Sequence, residues 1–171
     1  AVVTELIDDV LSLPAGLLNP ENKRLLAVVR GAMEETEQVA ATLRNLAANL
    51  DRARGGSPDT ASAAREHAGA AFYQVIDERF PRWLASLNEE NPDRAHARWR
   101  ELLRSEALRQ QETLASAVPD TAFAGRGEGK GRADVGKALL FFRLALNAVV
   151  PAPAQQDAPV ENSKNAERTP A

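Results

Sequence analysis

The sequence predicts an all-α protein: a four-helix bundle with a short extended lead-in and a flexible C-terminal tail. Glycine and proline divide the chain into four long segments dominated by Ala, Leu, Arg and Glu, which have high helix propensity. Apolar residues in these segments recur every three or four positions, the spacing of one helix face. We therefore divide the 171 residues into a lead-in at 1–18, a bundle at 19–150 and a tail at 151–171.

The lead-in mixes β-branched residues with acids, and we expect it to be extended. The first helix is predicted to begin after Asn19, a capping residue that is followed by proline and an acid. Its apolar stripe, which includes Leu26 and Leu43, ends at Gly55. At about 1.5 Å per residue, this helix should be about 50 Å long.

The next two helices carry the same start signal. The second is predicted to begin after Ser57 and to continue to Leu87, with a kink at Pro81 because an internal proline removes a backbone hydrogen bond. The third is predicted to begin after Asn91 and to end before Pro119. Both helices carry an apolar arc, so both should contribute one face to a shared core.

The fourth helix, predicted over residues 133–150, is apolar around almost its whole circumference. Such a helix is expected to be buried on nearly all sides. Lys137 and Arg143 argue against a span in lipid, and the chain contains no run of 18 apolar residues. Aromatic residues at helical spacing are expected to pack in the core rather than stack on bases: Phe72, Tyr73, Phe80, Trp83, Trp99, Phe141 and Phe142.

The ends of the chain and its composition narrow the class of protein further. The tail contains four prolines among polar and charged residues, too little apolar surface to offset the entropy of ordering it. The absence of cysteine excludes a disulfide framework and a thiolate metal site, and it favours the cytoplasm. The N-terminus lacks the features of a secretory signal. Because it also lacks Met, we expect a piece of a longer sequence.

Basic residues concentrate in one part of the chain. The net charge is −3, but residues 91–150 carry ten Lys and Arg against seven Asp and Glu. The glycine-rich stretch at residues 125–137 lacks the spacing of a P-loop or of a GxGxxG motif, so it is either a phosphate contact or, as we favour, a solvated connector. The candidate nucleic-acid contacts are basic residues of the third helix and this stretch: Arg94, Arg98, Arg126, Lys130 and Arg132.

No arrangement of residues indicates catalysis. His67 stands in an alanine-rich segment, and His96 follows Asp93 by three residues. A di-metal bundle would need two Glu-x-x-His motifs, and a serine hydrolase would need a GxSxG turn. We therefore expect no enzymatic activity, no catalytic residue, no metal, no cofactor and no small-molecule substrate.

Three segments, in order, resemble one known family. LPAGLL at residues 13–18, followed by LLAVVRGAMEETEQVAATLRNLAANL, is similar to the opening of the helical domain of CasA, the large subunit of the type I-E CRISPR surveillance complex Cascade. AFYQVIDERFPRWLASL at residues 71–87 and ARWRELLRSEALRQQETLASAVP at residues 97–119 resemble the next helices of that domain. The resemblance covers about residues 10–150.

The resemblance implies a non-enzymatic carboxy-terminal bundle that helps to hold target DNA in the R-loop during antiviral defence. It implies contacts with other Cascade subunits, in particular the small subunits, with target DNA and indirectly crRNA, and with the helicase-nuclease that the complex recruits. A second hypothesis comes from the residues alone. The apolar fourth helix of a small bundle can leave surface uncovered, which is typical of a homo-oligomerising or scaffolding bundle without a nucleic-acid role.

Overall fold

The computed structural model of the protein describes residues 8–9, 19–123 and 128–153. Within these ranges there is no strand, and the chain forms four long α-helices and one short 3-10 helix. The helices are α1 (Pro20–Ala53), α2 (Pro58–Ser86), α3 (Pro92–Ser116) and α4 (Glu128–Val149), and the 3-10 helix is Asp120–Phe123. The predicted all-α four-helix bundle is confirmed. In the described ranges, no helix combines the length and apolar character needed to cross a membrane.

Three of the four helices begin where capping chemistry predicts. The side chains of Asn19, Ser57 and Asn91 each accept a hydrogen bond from a backbone amide two or three residues further on, at 3.0, 3.3 and 2.9 Å. A proline follows each cap at the first helical position, where its missing N–H costs nothing. α1 ends at Ala53, two residues before Gly55, whose φ of 89° lies in the left-handed region that glycine adopts without strain.

The central helix of the bundle is α1, which contacts all three other long helices. Its most deeply buried side chains alternate small and large residues, which lets neighbouring helices approach closely: Ala32, Val39, Ala40, Leu43 and Leu46. By contrast, α4 packs mainly against α1 and touches α3 only slightly. The prediction that α4 is buried on nearly all sides is therefore wrong, because a helix is buried only where it has neighbours.

An aromatic cluster joins α1, α2 and α3. The ring centroids of Trp83 and Trp99 are 5.1 Å apart, and Phe80 lies 5.7 to 5.9 Å from both. Trp83 Nε1 donates to the carbonyl oxygen of Ala95 at 2.9 Å. Trp99 Nε1 donates to Thr36 Oγ1 at 3.0 Å. The core positions predicted for both tryptophans are confirmed. The helix α2 continues through Pro81 to Ser86.

Two predictions about local structure are corrected: the start of α4 and the extended conformation of the lead-in. α4 begins at Glu128 rather than at residue 133, so part of the expected connector is helical. Gly131 faces Phe123 so closely that a Cβ atom there would collide with the ring, and this packing offsets the low helix propensity of glycine. Asp8 and Asp9 are helical rather than extended, and Asp8 forms an ion pair with Arg30 of α1. The rest of the predicted lead-in and residues 154–171 of the predicted tail lie outside the described residues.

Candidate interaction surfaces

One side of α4 exposes three large apolar side chains, which we call the α4 apolar face. Leu140, Phe141 and Leu144 are 58%, 63% and 57% exposed. They lie one helical turn or less apart, so they form one continuous stripe. The core position predicted for Phe141 is therefore wrong, whereas its neighbour Phe142 is buried against the bundle. Contiguous exposed apolar surface of this kind is typical of protein contact sites.

Basic side chains surround the first turns of α4, next to this face. A shallow cavity of about 280 Å³ is lined by Arg52 from the end of α1 together with Lys137 and Phe141 of α4. A second cavity of about 300 Å³ is lined by Arg52, Lys130 and Asp134. We call Arg52, Lys130 and Lys137 the basic end of α4. All three residues are exposed, and Asp134 lies among them.

The structure does not bring the predicted basic residues together. α3 and α4 run in opposite directions, because Gln111 pairs with Arg143 while Arg104 pairs with Asn147. The first turn of α3 is therefore far from the first turn of α4: the 25 residues of α3 span about 37 Å at about 1.5 Å per residue.

The five predicted nucleic-acid contacts lie in different parts of the structure. Arg94 is exposed in the first turn of α3, whereas Lys130 and Arg132 are exposed in α4 at the other end of the bundle. Arg98 donates to Ser86 Oγ at 2.5 Å and to Glu90 Oε2 at 2.9 Å, so it ties the α2–α3 connection together. Arg126 lies outside the described residues. Sequence reasoning missed Arg52 and Lys137, because nothing local indicates that the end of α1 and the start of α4 meet.

A polar cluster fixes α3 against α1. Arg100 donates to both carboxylate oxygens of Glu35, with Nη2 at 2.7 Å from Oε1 and Nε at 3.1 Å from Oε2, and His96 Nε2 lies 3.0 Å from Oε2. Burial by itself raises the pKa of Glu35, but the hydrogen bonds and charges of His96 and Arg100 outweigh it and hold the pKa below its usual value. Gly31 leaves the room that the His96 ring occupies. This cluster is a structural lock between helices.

A groove between α1 and α2 combines aromatic and acidic side chains. It measures about 180 Å³ and is lined by Met33, Thr36, Glu37, Tyr73, Ile76, Asp77 and Phe80. Burial and the neighbouring Glu37 carboxylate raise the pKa of Tyr73 to about 12, so its hydroxyl is protonated at neutral pH. Tyr73 and Phe80 are half-buried, and both were expected in the core. The sequence signal that could have indicated part of this groove is Asp77, which lies four residues after Tyr73 and three before Phe80 on α2. No sequence pattern links Glu37 of α1 to these residues.

Neither histidine belongs to a metal cluster within the described part of the chain. Among the residues that the structure describes, no group of three or more His, Asp or Glu side chains is arranged to hold a metal ion. His67 is exposed on α2, and His96 faces Glu35 in the polar cluster. The fold therefore defines the class of protein as an all-α helical bundle, and the surfaces described above are its candidate contact sites.

Comparison with known proteins then identifies the family. The model of the family described as CRISPR-associated protein Cse1 matches residues 1–110, more than half of the chain, and the chain belongs to this family. The predicted resemblance to CasA, which is Cse1, is confirmed. Among solved structures, the crystal structure of Thermobifida fusca Cse1 is similar, with a TM-score of 0.65 and 25% sequence identity. That alignment covers 74% of this chain and 23% of the T. fusca chain, so the similarity extends over about a quarter of that protein. A search of curated proteins finds no match.

Proposed function

We propose that this chain is the non-enzymatic helical bundle of the large subunit of a crRNA-guided type I-E CRISPR surveillance complex. In this role it helps to hold target DNA, contacts other subunits and supports recruitment of the helicase-nuclease in antiviral defence in the cytoplasm. The observation that carries the proposal is the pairing, on one helix of a Cse1-family chain, of an exposed apolar face with a basic end. The first suits a protein partner, and the second suits a phosphate backbone.

The DNA contact is assigned to the basic end of α4. Each lysine that neutralises a phosphate releases counterions, so each should contribute about 0.9 to the slope of log affinity against log salt concentration. In the reconstituted complex, Lys130→Gln with Lys137→Gln should lower target-DNA affinity and make that slope shallower by about 1.8. Lys23→Gln is the matched control, because Lys23 is an exposed lysine in the first turn of α1. An affinity and a slope equal to those of the control would contradict the DNA contact.

The subunit contact is assigned to the α4 apolar face. A charge placed in a desolvated protein contact costs several kcal/mol, so Leu144→Glu should prevent incorporation of the chain into the complex. Leu84→Glu on α2 is the matched control, since Leu84 is also an exposed leucine, at 43%. Co-purification of the complex measures the effect, and the same preparations report helicase-nuclease recruitment. Equal incorporation of both variants would show that the α4 apolar face is not the subunit contact.

The α4 apolar face also favours a second candidate function, a homo-oligomerising or scaffolding bundle without a nucleic-acid role. Two copies that bury Leu140, Phe141 and Leu144 against each other would remove the same exposed surface from water. Sedimentation of the chain across micromolar concentrations distinguishes the two. A dimer that Leu144→Glu converts to monomer favours the scaffold, and a monomer at every concentration excludes it.

A further inference from the structure

The groove between α1 and α2 has the chemistry of a receptor for a cationic side chain. Its floor consists of the buried side chains of Thr36 and Ile76, and its half-buried walls include Tyr73 and Phe80. One water molecule needs about 10 to 15 Å³ of cavity volume. The groove has a volume of about 180 Å³, so it has room for one large side chain.

The two charged residues that line the groove are both acidic. Glu37 reaches the groove from α1 and Asp77 from α2, and its lining contains no Lys, Arg or His. Glu37 has a partner, the hydroxyl of Tyr73, which Arg44 also approaches. Asp77 is exposed, and its side chain makes no hydrogen bond or ion pair with the other described residues. The groove therefore has two carboxylates beside its aromatic wall. Glu37 is hydrogen-bonded to Tyr73, and the Asp77 side chain has no partner among the described residues.

Apolar walls and carboxylates together match an arginine better than other side chains. The aliphatic stem of arginine packs against apolar surface while its head stays at the rim. The planar guanidinium stacks on aromatic rings and pairs with carboxylates. A purely apolar side chain would leave both carboxylates partly desolvated, and a phosphate group would be repelled by them.

We propose that this groove binds an arginine side chain presented by a protein partner. The proposal uses no residue of the α4 apolar face or of the basic end, so it stands independently of the function proposed above. It assigns a second contact surface to the bundle, on α1 and α2, and defines the partner there by an exposed arginine.

The test uses the 171-residue chain and the peptide acetyl-Ala-Arg-Ala-amide, with NMR detection of the Tyr73 and Phe80 rings. Saturable shifts of these resonances are expected at millimolar peptide. Replacing arginine by the neutral, nearly isosteric citrulline should weaken binding about tenfold, because a charge-assisted hydrogen bond is lost. Asp77→Asn in the protein should have a similar effect, whereas Glu66→Gln, at another exposed acid of α2, should leave the affinity unchanged.

Three results would overturn the proposal. The first is the absence of saturable shifts at Tyr73 and Phe80. The second is equal affinity for the arginine and citrulline peptides, or equal affinity of Asp77→Asn and the unmodified chain. The third is a stronger response of the same resonances to a short oligothymidylate, which would assign the groove to nucleic acid. Because Asp77 is exposed, Asp77→Asn keeps the fold, and circular dichroism verifies this.

Discussion

The buried hydrogen bond between Trp99 and Thr36 should contribute measurably to stability. Trp99 is 1% exposed and Thr36 is 8% exposed, so neither group can turn to water instead. Thr36 Oγ1 accepts from the indole at 3.0 Å and donates to the carbonyl oxygen of Ala32 at 2.7 Å. Thr36→Val keeps the branched shape but leaves the indole N–H buried without an acceptor. An unsatisfied buried donor costs about 1 to 3 kcal/mol, a large part of a total stability of about 5 to 15 kcal/mol.

Urea unfolding monitored by tryptophan fluorescence measures this loss. For a protein of this size, each kcal/mol of lost unfolding free energy should also lower the melting temperature by about 2 to 4 °C. Thr42→Val is the matched control, because the Thr42 hydroxyl makes a similar bond to the carbonyl oxygen of Gln38 but accepts nothing from an indole in the described part of the chain. We expect that control to change the free energy of unfolding by less than about 0.5 kcal/mol.

A double-mutant cycle separates the hydrogen bond from general packing effects. In a Trp99→Phe background there is no indole N–H to leave unpaired, so Thr36→Val should cost about 1 kcal/mol less than in the native chain. The reasoning is refuted if Thr36→Val is as mild as Thr42→Val. The reasoning is also refuted if Thr36→Val lowers the free energy of unfolding equally in the native chain and in the Trp99→Phe variant. The destabilisation would then come from packing alone.

Three further predictions concern an ion-paired glutamate, a pair of glycines and a core leucine. Glu35 has a folded pKa below its unfolded value, so its stabilisation is present above the unfolded pKa and is lost as pH falls through the folded pKa. Glu35→Gln should therefore flatten the loss of stability as pH falls below about 4.3, the ordinary pKa of glutamate, measured as the urea midpoint. Gly56→Ala should lower the melting temperature because its Cβ would collide with Asp51, whereas Gly136→Ala, with open space around it, should raise stability by about 0.5 to 1 kcal/mol. Leu43→Ala, at a fully buried position of α1, should cost about 2 to 5 kcal/mol in urea unfolding, and a cost below about 1 kcal/mol would contradict the central position of α1.

Helix positions could be predicted from the sequence because their signals are local. Asn19, Ser57 and Asn91 cap their own helices, and each is followed by the proline that marks the first turn. α4 has no such cap in the sequence, and its predicted start at residue 133 was five residues late. Near its true start, Gly131 packs against Phe123 of the 3-10 helix that precedes α4, a contact that the local sequence does not indicate.

The interaction surfaces could be predicted only in part. Lys130 was identified from its basic, glycine-rich surroundings, and it lies in the basic end of α4. Arg52 is 78 residues earlier in the sequence and reaches the same surface only because α1 and α4 pack antiparallel. Arg98 also has basic neighbours in the sequence, yet the structure engages it with Ser86 and Glu90. Local charge patterns do not distinguish these outcomes, because pairing depends on neighbours that are distant in sequence.

The sequence by itself determined the all-α class, three helix starts, the core positions of both tryptophans and the resemblance to the Cse1 family. These depend on helical spacing, on capping side chains and on the order of segments, all of which lie within one stretch of chain. Only the tertiary structure decided that α1, rather than α4, is the central helix, and hence that Phe141 faces outward. The physical reason is that an apolar pattern states which side chains avoid water, but burial also requires enough neighbouring helices, and a bundle of this size covers only one side of α4.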